Sequence, residues 1–347
     1  MKTNQLILAT AAVLALAACN KDEFSPKNSS TDEIGFNAVT AKATKANNAI
    51  ISGTTYATDN TFQVWGWQSQ AGDFSDVADN AASNFMPNLT ISYCGGPQSR
   101  ADAWRNADNY YYWPFTGKIS FLAVHPSTVA PSTTGWDATN EKPQATVADY
   151  TITPGTNETV DLMFATNEGA RQANPLNMVF KHALSQIEVQ VKTEEDYTAD
   201  VAFDVESVSF NNIDLSGDVA YANDAIAWDD NTAQTESWTY YGTVLEDITK
   251  DYQVYGAAKV NIPQPATVAD DPATTDVIEG TYLTIGYSME QTGSTKITGT
   301  VKISKPQVWE PGKKYVYTLN FKLNEILFDP TVTNWVVVNV DTINVLD

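Results

Sequence analysis

The stretch Tyr315-Val316-Tyr317-Thr318-Leu319-Asn320-Phe321 places a large apolar or aromatic side chain at every second position. A second stretch, Ile187-Glu188-Val189-Gln190-Val191-Lys192, has the same alternation with a polar face. Successive side chains of a β-strand point to opposite faces of the sheet, so this period of two indicates strands with one buried and one wet face. Such strands are typical of antiparallel sandwiches, and we predict that arrangement here.

Short runs of the same kind recur along the chain, rich in Val, Ile, Thr, Tyr, Phe and Trp and bounded by Gly, Pro, Asn and Asp. They are Ile34–Val39, Phe62–Gln68, Asn88–Tyr93, Lys118–Val124, Val205–Phe210, Tyr282–Met289, Lys296–Ile303 and Asn334–Val340. Amphipathic helical stretches of comparable strength are hard to find. The sequence therefore predicts an all-β fold.

The length of 347 residues suits two domains of ordinary size. The β signal is weakest over Asn167–Asn174, just before Pro175. We therefore predict one β-sandwich over residues 33–174 and a second over 175–347. Residues 19–32 are Ser-, Asn- and Lys-rich and are predicted to be a flexible linker.

The first eighteen residues have the pattern of an export signal. Lys2 provides the positive charge, Leu6–Leu16 is an apolar segment too short to span a bilayer as a helix, and Leu16-Ala17-Ala18-Cys19 places small residues before a cysteine. The last segment resembles the bacterial lipobox, which implies cleavage between Ala18 and Cys19 and acylation of Cys19. The alternative is an ordinary secretory signal in which the cysteine is accidental.

The residues after Cys19 include Lys21, Asp22 and Glu23. They resemble the export tag that sends lipoproteins of some Gram-negative bacteria to the outer face of the outer membrane. The alternative is a solvated start of the linker, as short charged runs usually are.

Charge and cysteine content exclude several classes of partner and site. The formal net charge of −22 repels nucleic acid and anionic lipid headgroups. The chain has only two cysteines, so if Cys19 is acylated then Cys94 has no partner and the fold does not depend on a disulfide. No role for Cys94 is evident from the sequence.

Catalytic motifs are missing from the sequence. The two histidines, His125 and His182, each adjoin a predicted strand and have no nucleophile elbow nearby. Adjacent carboxylates such as Asp229-Asp230 are expected by chance in a chain with 42 acidic residues, and none has calcium-loop spacing. We therefore predict no catalytic residue, no metal site and no cofactor, and we interpret the chain as a structural or binding protein.

Clustered aromatic residues are the one feature that suggests a ligand. Trp65, Trp67, Tyr110–Tyr112 and Trp113 either fill a sandwich core or form a platform on which a sugar stacks.

Several segments, taken in order, resemble the fimbrillin family, the Mfa-like and FimA-like pilin lipoproteins of the protease-mediated (type V) pili of gut and oral Gram-negative bacteria. The segments are Tyr110–Pro114, Ser120–Pro126, Asp161–Ala165, Phe180–Ile187, Ile262–Gln264, Trp309–Tyr317, Asp329-Pro330 and Val332–Trp335. The resemblance implies two transthyretin-like domains and assembly by donor-strand exchange. In that scheme a trypsin-like protease removes the first strand, and the C-terminal strand of another subunit fills the groove.

The chain has candidates for each part of this scheme. The strand to be removed carries Ile34, Phe36 and Ala38 on one face, and Lys42 and Lys45 follow it as processing sites, where the family more often has arginine. The donor-strand candidates are Val336, Val338, Val340, Ile343 and Val345. The alternative for the C-terminus is an ordinary last strand of the second sandwich.

The resemblance implies a surface-exposed subunit of a fimbria, anchored to the outer membrane by lipid before processing, whose partners are other fimbrillin subunits. Such a fimbria would support adhesion to a host or glycan ligand. The runner-up interpretation is a surface lipoprotein that binds glycan and does not polymerise. The sequence does not distinguish a stalk subunit from an anchor or a tip.

Overall fold

The computed structural model of the chain describes residues 33–40, 56–94, 103–152, 160–171, 175–197, 201–229, 236–240, 242–264, 281–304, 308–322 and 326–334. Within these ranges the regular secondary structure is all β-strand, which confirms the all-β part of the predicted fold class. The same ranges hold no helix with the length and apolar character needed to cross a membrane.

The described strands are numbered in chain order. They are β1 (Phe36–Thr40), β2 (Phe62–Ser69), β3 (Met86–Cys94), β4 (Ala103–Arg105), β5 (Lys118–His125), β6 (Thr133–Asp137), β7 (Lys142–Thr151), β8 (Met163–Gly169), β9 (Leu176–His182), β10 (Ser185–Thr193), β11 (Val201–Ile213), β12 (Ser216–Ala222), β13 (Ala225–Trp228), β14 (Glu236–Tyr240), β15 (Gln253–Asn261), β16 (Tyr282–Gln291), β17 (Ile297–Ser304), β18 (Lys313–Phe321) and β19 (Ile326–Asn334).

The N-terminal strands form a closed barrel in the order β1-β4-β3-β2-β5-β8-β9. The barrel closes because β1 pairs with β4 on one side and with β9 on the other. We predicted a β-sandwich here, and the pairing of β1 on both sides joins its strands into one closed barrel. β9 lies beyond the predicted division at 174/175 and still belongs to this barrel. That division stays a prediction, and the pairing of β9 favours a break after His182.

The C-terminal strands form two four-stranded sheets, β15-β10-β18-β19 and β14-β11-β16-β17. Aromatic rings join the two sheets across their apolar faces. The ring of Phe203 lies 6.0 Å from that of Phe321, and the ring of Phe210 lies 5.5 Å from that of Tyr317. The alternating stretches of β10 and β18 supply much of this core, with Ile187, Tyr315 and their alternate neighbours buried.

A further sheet, β13-β12-β7-β6, combines strands from both halves of the chain. It packs on the outer face of the barrel, where the ring of Phe164 on β8 stacks on Tyr221 of β12 at 5.1 Å. The barrel strands beneath it are consequently buried on both faces. In β5, Phe121 points into the barrel while Leu122 packs outward in the larger core, and both are fully buried.

The turn between β12 and β13 fastens this sheet to the barrel. Asn223 and Asp224 both have positive φ, as a tight hairpin turn requires. The Asp224 carboxylate accepts hydrogen bonds from Lys142 and Thr166, and its backbone carbonyl accepts one from Lys181 Nζ at 2.6 Å. Burial alone would raise the pKa of Asp224, but the hydrogen bonds that its carboxylate accepts from Lys142, Thr166 and Tyr221 outweigh it and the pKa is lowered.

Two strand pairs are parallel, β1 with β9 and β10 with β18, where we predicted antiparallel pairing throughout. The prediction was wrong there because the side-chain alternation of a half-buried strand is the same in both kinds of ladder. The last predicted strand, 334–340, overlaps β19 only at Asn334, and its remainder lies outside the described residues.

Candidate functional site: the groove occupied by strand β1

Strand β1 and the residues just before it fill part of the barrel interior with the side chains of one face. Ile34, Phe36 and Ala38 are 3%, 0% and 8% exposed, whereas Asn37 between them is exposed. The ring of Phe36 meets Phe121 edge-on at 5.2 Å and Phe62 at 6.3 Å. The three residues predicted to face inward therefore lie in the N-terminal core, and removing the strand would open an apolar groove.

The backbone of β1 is held unequally on its two sides. Five residue pairs join it to β9, from Phe36↔Leu176 to Thr40↔Phe180, whereas one pair, Phe36↔Trp104, joins it to β4. The amide of Leu176 also donates to the carbonyl of Gly35 at 2.8 Å. β9 is thus the main backbone template for whatever strand occupies the groove.

An ion pair is buried at the entrance of β1. Arg105 Nη1 lies 3.7 Å from Glu33 Oε2, and the two side chains are 3% and 5% exposed. The amide of Ile34 donates to the carbonyl of Tyr111 at 2.7 Å beside it. Buried charges are tolerated when they are paired, so Glu33 fixes the start of β1 against β4.

The ring of Tyr56 bridges the two strands that flank β1. It stacks on Phe180 of β9 at 5.1 Å and meets Trp104 of β4 edge-on at 4.8 Å. Its hydroxyl lies 2.6 Å from His125 Nδ1 on β5. Tyr56 is 2% exposed although it follows a polar segment with no strand signal.

The sequence model of one family, described as Fimbrillin-like, matches residues 27–335. The chain belongs to the fimbrillin-like family. This is a family of fimbrial structural proteins rather than enzymes, in agreement with the resemblance found in the sequence. Among curated proteins, no sequence matches the chain.

Solved structures share the fold of this fimbrillin-like chain at low sequence identity. A fimbrial protein from Bacteroides vulgatus has a TM-score of 0.62 at 18% identity, over 88% of this chain and 99% of that one. A candidate cell adhesion protein from Bacteroides ovatus has a TM-score of 0.52 at 14% identity, over 88% and 97%. One from Bacteroides uniformis has a TM-score of 0.51 at 15% identity, over 87% and 98%.

Both histidines of the fimbrillin-like chain are buried in structural contacts. His182 Nδ1 lies 2.6 Å from Asp161 Oδ2, with both side chains almost fully buried. His125 is 3% exposed and contacts Tyr56 and the carbonyl of Thr61. In the described part of the chain, no group of three or more His, Cys, Asp and Glu side chains is arranged to hold a metal ion.

The burial of His125 makes stability depend on pH. Burial lowers its pKa from the ordinary 6.5 to about 4, against the attraction of Asp161. Between pH 6.5 and 4, His125 is therefore protonated in the unfolded chain but mostly neutral in the folded chain. We expect the free energy of unfolding to fall by about 3 kcal/mol between pH 6.5 and 4 from this group alone.

Urea unfolding at pH 7.5 and 4.5 measures that loss, with His125→Asn as the comparison. Because the many carboxylates titrate in both proteins, the informative quantity is the difference between their pH slopes. The variant should lose less stability on acidification than the wild type. Equal slopes would show that His125 does not contribute.

The clustered aromatic residues do not share an exposed face. Trp65 and Trp113 are 6% and 4% exposed and belong to different cores, on opposite sides of the barrel wall. Trp67 is fully buried and Tyr111 is half-buried, while Tyr110 is exposed. The platform required by the glycan-binding interpretation is therefore not formed by these residues.

The remaining predicted site residues lie outside the described residues. They are Ala18, Cys19, Lys21, Asp22, Glu23, Lys42, Lys45, Val336, Val338, Val340, Ile343 and Val345. Cys94 is described: it ends β3 half-buried as a free thiol, with Sγ 3.7 Å from the carbonyl oxygen of Ser92.

Two residues of the groove, Tyr56 and Arg105, could not be recognised from the sequence. Tyr56 follows a stretch of Ser, Gly and Thr, and Arg105 lies between short polar segments. Both become part of the site only through contacts with residues far away in the sequence. An isolated tyrosine just before a predicted strand is a weak signal for such a role.

Proposed function

We propose that the chain is a subunit of a surface fimbria that is exported as a lipoprotein and assembles by donor-strand exchange. Acylation of Cys19 holds the precursor at the outer membrane, and the tag at Lys21–Glu23 directs it to the cell surface. Cleavage after Lys42 or Lys45 then separates β1 from the rest of the chain. The C-terminal segment with Val336, Val338 and Val340 of another subunit takes its place, and Ile343 and Val345 extend it.

The observation that carries this proposal is the position of β1 as the strand that closes the barrel. It is the first described strand, its apolar face fills the core, and its connection to the next described residue, Tyr56, contains both candidate processing sites. Full burial of a Phe or Ile side chain contributes about 1.5–3 kcal/mol. An empty groove would therefore bind a strand of similar pattern favourably, since unpaired edges and apolar pockets favour strand addition.

The same arrangement explains why an uncut chain would stay monomeric. While β1 is attached, its effective concentration at the groove exceeds that of any strand from another subunit. Cutting the connection removes that advantage and lets exchange proceed. Proteolysis thus acts as the assembly switch, and the fimbrial partners are other subunits with the same groove.

The test is to replace both processing candidates in the native cells. We expect Lys42→Gln/Lys45→Gln chains to keep an N-terminus at Cys19 and to give only monomers in mild SDS. Wild-type chains should start at Ala43 or Ala46 and give ladders of high mass. N-terminal sequencing, intact mass and electrophoresis of protein shaved from the surface provide these measurements.

Lys118→Gln is the matched control, because Lys118 is a surface lysine 3.2 Å from Glu168 and far from the processing segment in the sequence. It should be processed like the wild type. Polymers formed by the double variant would refute cleavage as the switch. An uncut, lipidated wild-type monomer would instead indicate an anchor subunit or a stand-alone surface protein.

A further inference from the structure

We propose that Tyr56 is a positioning residue that holds β4 and β9 one strand-width apart, so that the groove stays open when β1 leaves. The inference rests on the proposed function for its biological meaning. Its physical content concerns only the described residues around β1. The occupant of the groove is a peptide strand with the apolar alternation of Ile34, Phe36 and Ala38.

The contacts of Tyr56 coincide with the pairing partners of β1. Phe36 pairs with Trp104, and Thr40 pairs with Phe180. The ring of Tyr56 contacts both of those partners, Trp104 at 4.8 Å and Phe180 at 5.1 Å between ring centroids. It therefore connects the two walls of the groove independently of β1 itself.

A second set of contacts fixes Tyr56 to the strands across the barrel. Its ring meets Phe62 of β2 edge-on at 5.7 Å, and its hydroxyl lies 2.6 Å from His125 Nδ1. Burial raises the pKa of Tyr56, so the phenol keeps its proton and can donate it in a hydrogen bond. The side chain of Tyr56 is thus held by β2 and β5 as well as by the two groove walls, β4 and β9.

Among the described strands, β1 is the one that pairs with both walls. Once it leaves, side-chain contacts must keep the walls in place, and these are the contacts of Tyr56 and of Phe62 with Trp104 and Phe180. Without β1, β4 and β9 both become edges, and β4 has just three residues paired to β3. Apolar walls that lose the strand between them tend to collapse onto each other and bury their exposed faces. A rigid aromatic ring between Trp104 and Phe180 opposes that collapse.

The position of Tyr56 in the chain suits this role. It lies after Lys42 and Lys45, so it stays with the body of the protein when β1 is cut away. It stacks on Phe180, which pairs with Thr40, the last residue of β1. Together with its contact to Trp104, which pairs with Phe36, Tyr56 thus reaches the pairing partners of both the first and the last residue of β1.

The experiment uses the full chain with a specific protease site inserted between Asn47 and Asn48. After cutting, the N-terminal piece is released in mild urea and removed by gel filtration. A fluorescent peptide with the sequence of residues 33–40 is then titrated onto the refolded body, and its dissociation constant is measured by anisotropy. The uncut chains are unfolded in urea in parallel.

We expect Tyr56→Leu to weaken peptide binding by about tenfold or more, since two aromatic contacts that set the walls are lost. Tyr56→Phe keeps the ring and should bind within about threefold of the wild type. Tyr93→Leu is the matched control, because Tyr93 contacts Trp104 at 5.5 Å but belongs to β3 and has no ring contact with Phe180.

A positioning role predicts that Tyr56→Leu weakens peptide binding to the cut body more than Tyr93→Leu does, by a margin larger than the difference between the two uncut variants in urea explains. Equal losses of peptide affinity in the two variants would overturn the proposal, as would unchanged affinity in Tyr56→Leu. If Tyr56→Leu fails to refold after β1 is removed, binding by Tyr56→Phe decides: a loss of tenfold or more would also overturn the role of the ring.

The result is independent of native processing. Because the cut is engineered and the ligand is the chain's own first strand, failure of fimbrial assembly in cells would leave this measurement unaffected. Conversely, a collapsed groove in Tyr56→Leu would not by itself establish donor-strand exchange.

Discussion

Replacing Phe36 with alanine is expected to destabilise the uncut chain by about 3–5 kcal/mol, the usual cost of deleting a fully buried phenylalanine ring. Phe36 is 0% exposed and touches two other buried phenylalanines of the barrel. The cavity would lie between β1 and the barrel wall, so we also expect β1 to open more often. Urea unfolding measures the first effect, and hydrogen exchange at the Leu176 amide, which donates to Gly35, measures the second.

Phe121→Ala is the matched control, because Phe121 is equally buried and in the same core but belongs to the central strand β5. Both variants should lose global stability by a similar amount. Only Phe36→Ala should raise local exchange at Leu176 beyond what its global stability explains. Equal local exchange in the two variants would mean that β1 is not an independently opening element.

Replacing Glu33 with leucine is expected to cost about 3–5 kcal/mol, because it removes a carboxylate that is paired with the buried guanidinium of Arg105. The two side chains are 5% and 3% exposed, so water does not readily replace the lost partner. The measurement is urea unfolding of the variant against the wild type at neutral pH.

The double variant Glu33→Leu/Arg105→Met separates the charge effect from simple loss of packing. An apolar pair in place of a buried ion pair is often neutral or stabilising, so most of the lost stability should return. If the double variant is as unstable as the sum of both single variants, the two residues act independently, and Glu33 does not fix the entrance of β1 through Arg105.

The strands themselves were largely predictable, because a strand that is buried on one face alternates apolar and polar residues along its sequence. Ile34, Phe36 and Ala38 show that alternation, and all three are buried, Phe36 and Ala38 in β1 and Ile34 just before it. The direction of pairing was not predictable, since β1 would look the same beside β9 in either orientation. Residues buried on both faces, as in Phe121-Leu122-Ala123-Val124, show no alternation at all.

The groove was predictable in part. Strand β1, which occupies the groove, could be recognised as an alternating strand followed by lysines. The groove walls, β4 and β9, depend on contacts between residues that are distant in the sequence. Arg105 and Glu33 are both ordinary charged residues in the sequence and become a buried pair only in the closed barrel. Tyr56 likewise gains its role from Trp104 and Phe180, which no local pattern connects to it.

The sheet shared between β7 and β12 determines how the chain would carry a mechanical load. β12 comes from the C-terminal half but pairs antiparallel with β7 of the N-terminal half, from Ser216↔Thr151 to Tyr221↔Ala145. Its hairpin is further fastened to the barrel at Asp224. Tension applied between the β1 groove and the C-terminus must therefore break a hydrogen-bonded ladder before the halves separate. In a fibre of such subunits, each subunit would resist extension because its two halves are joined by this ladder.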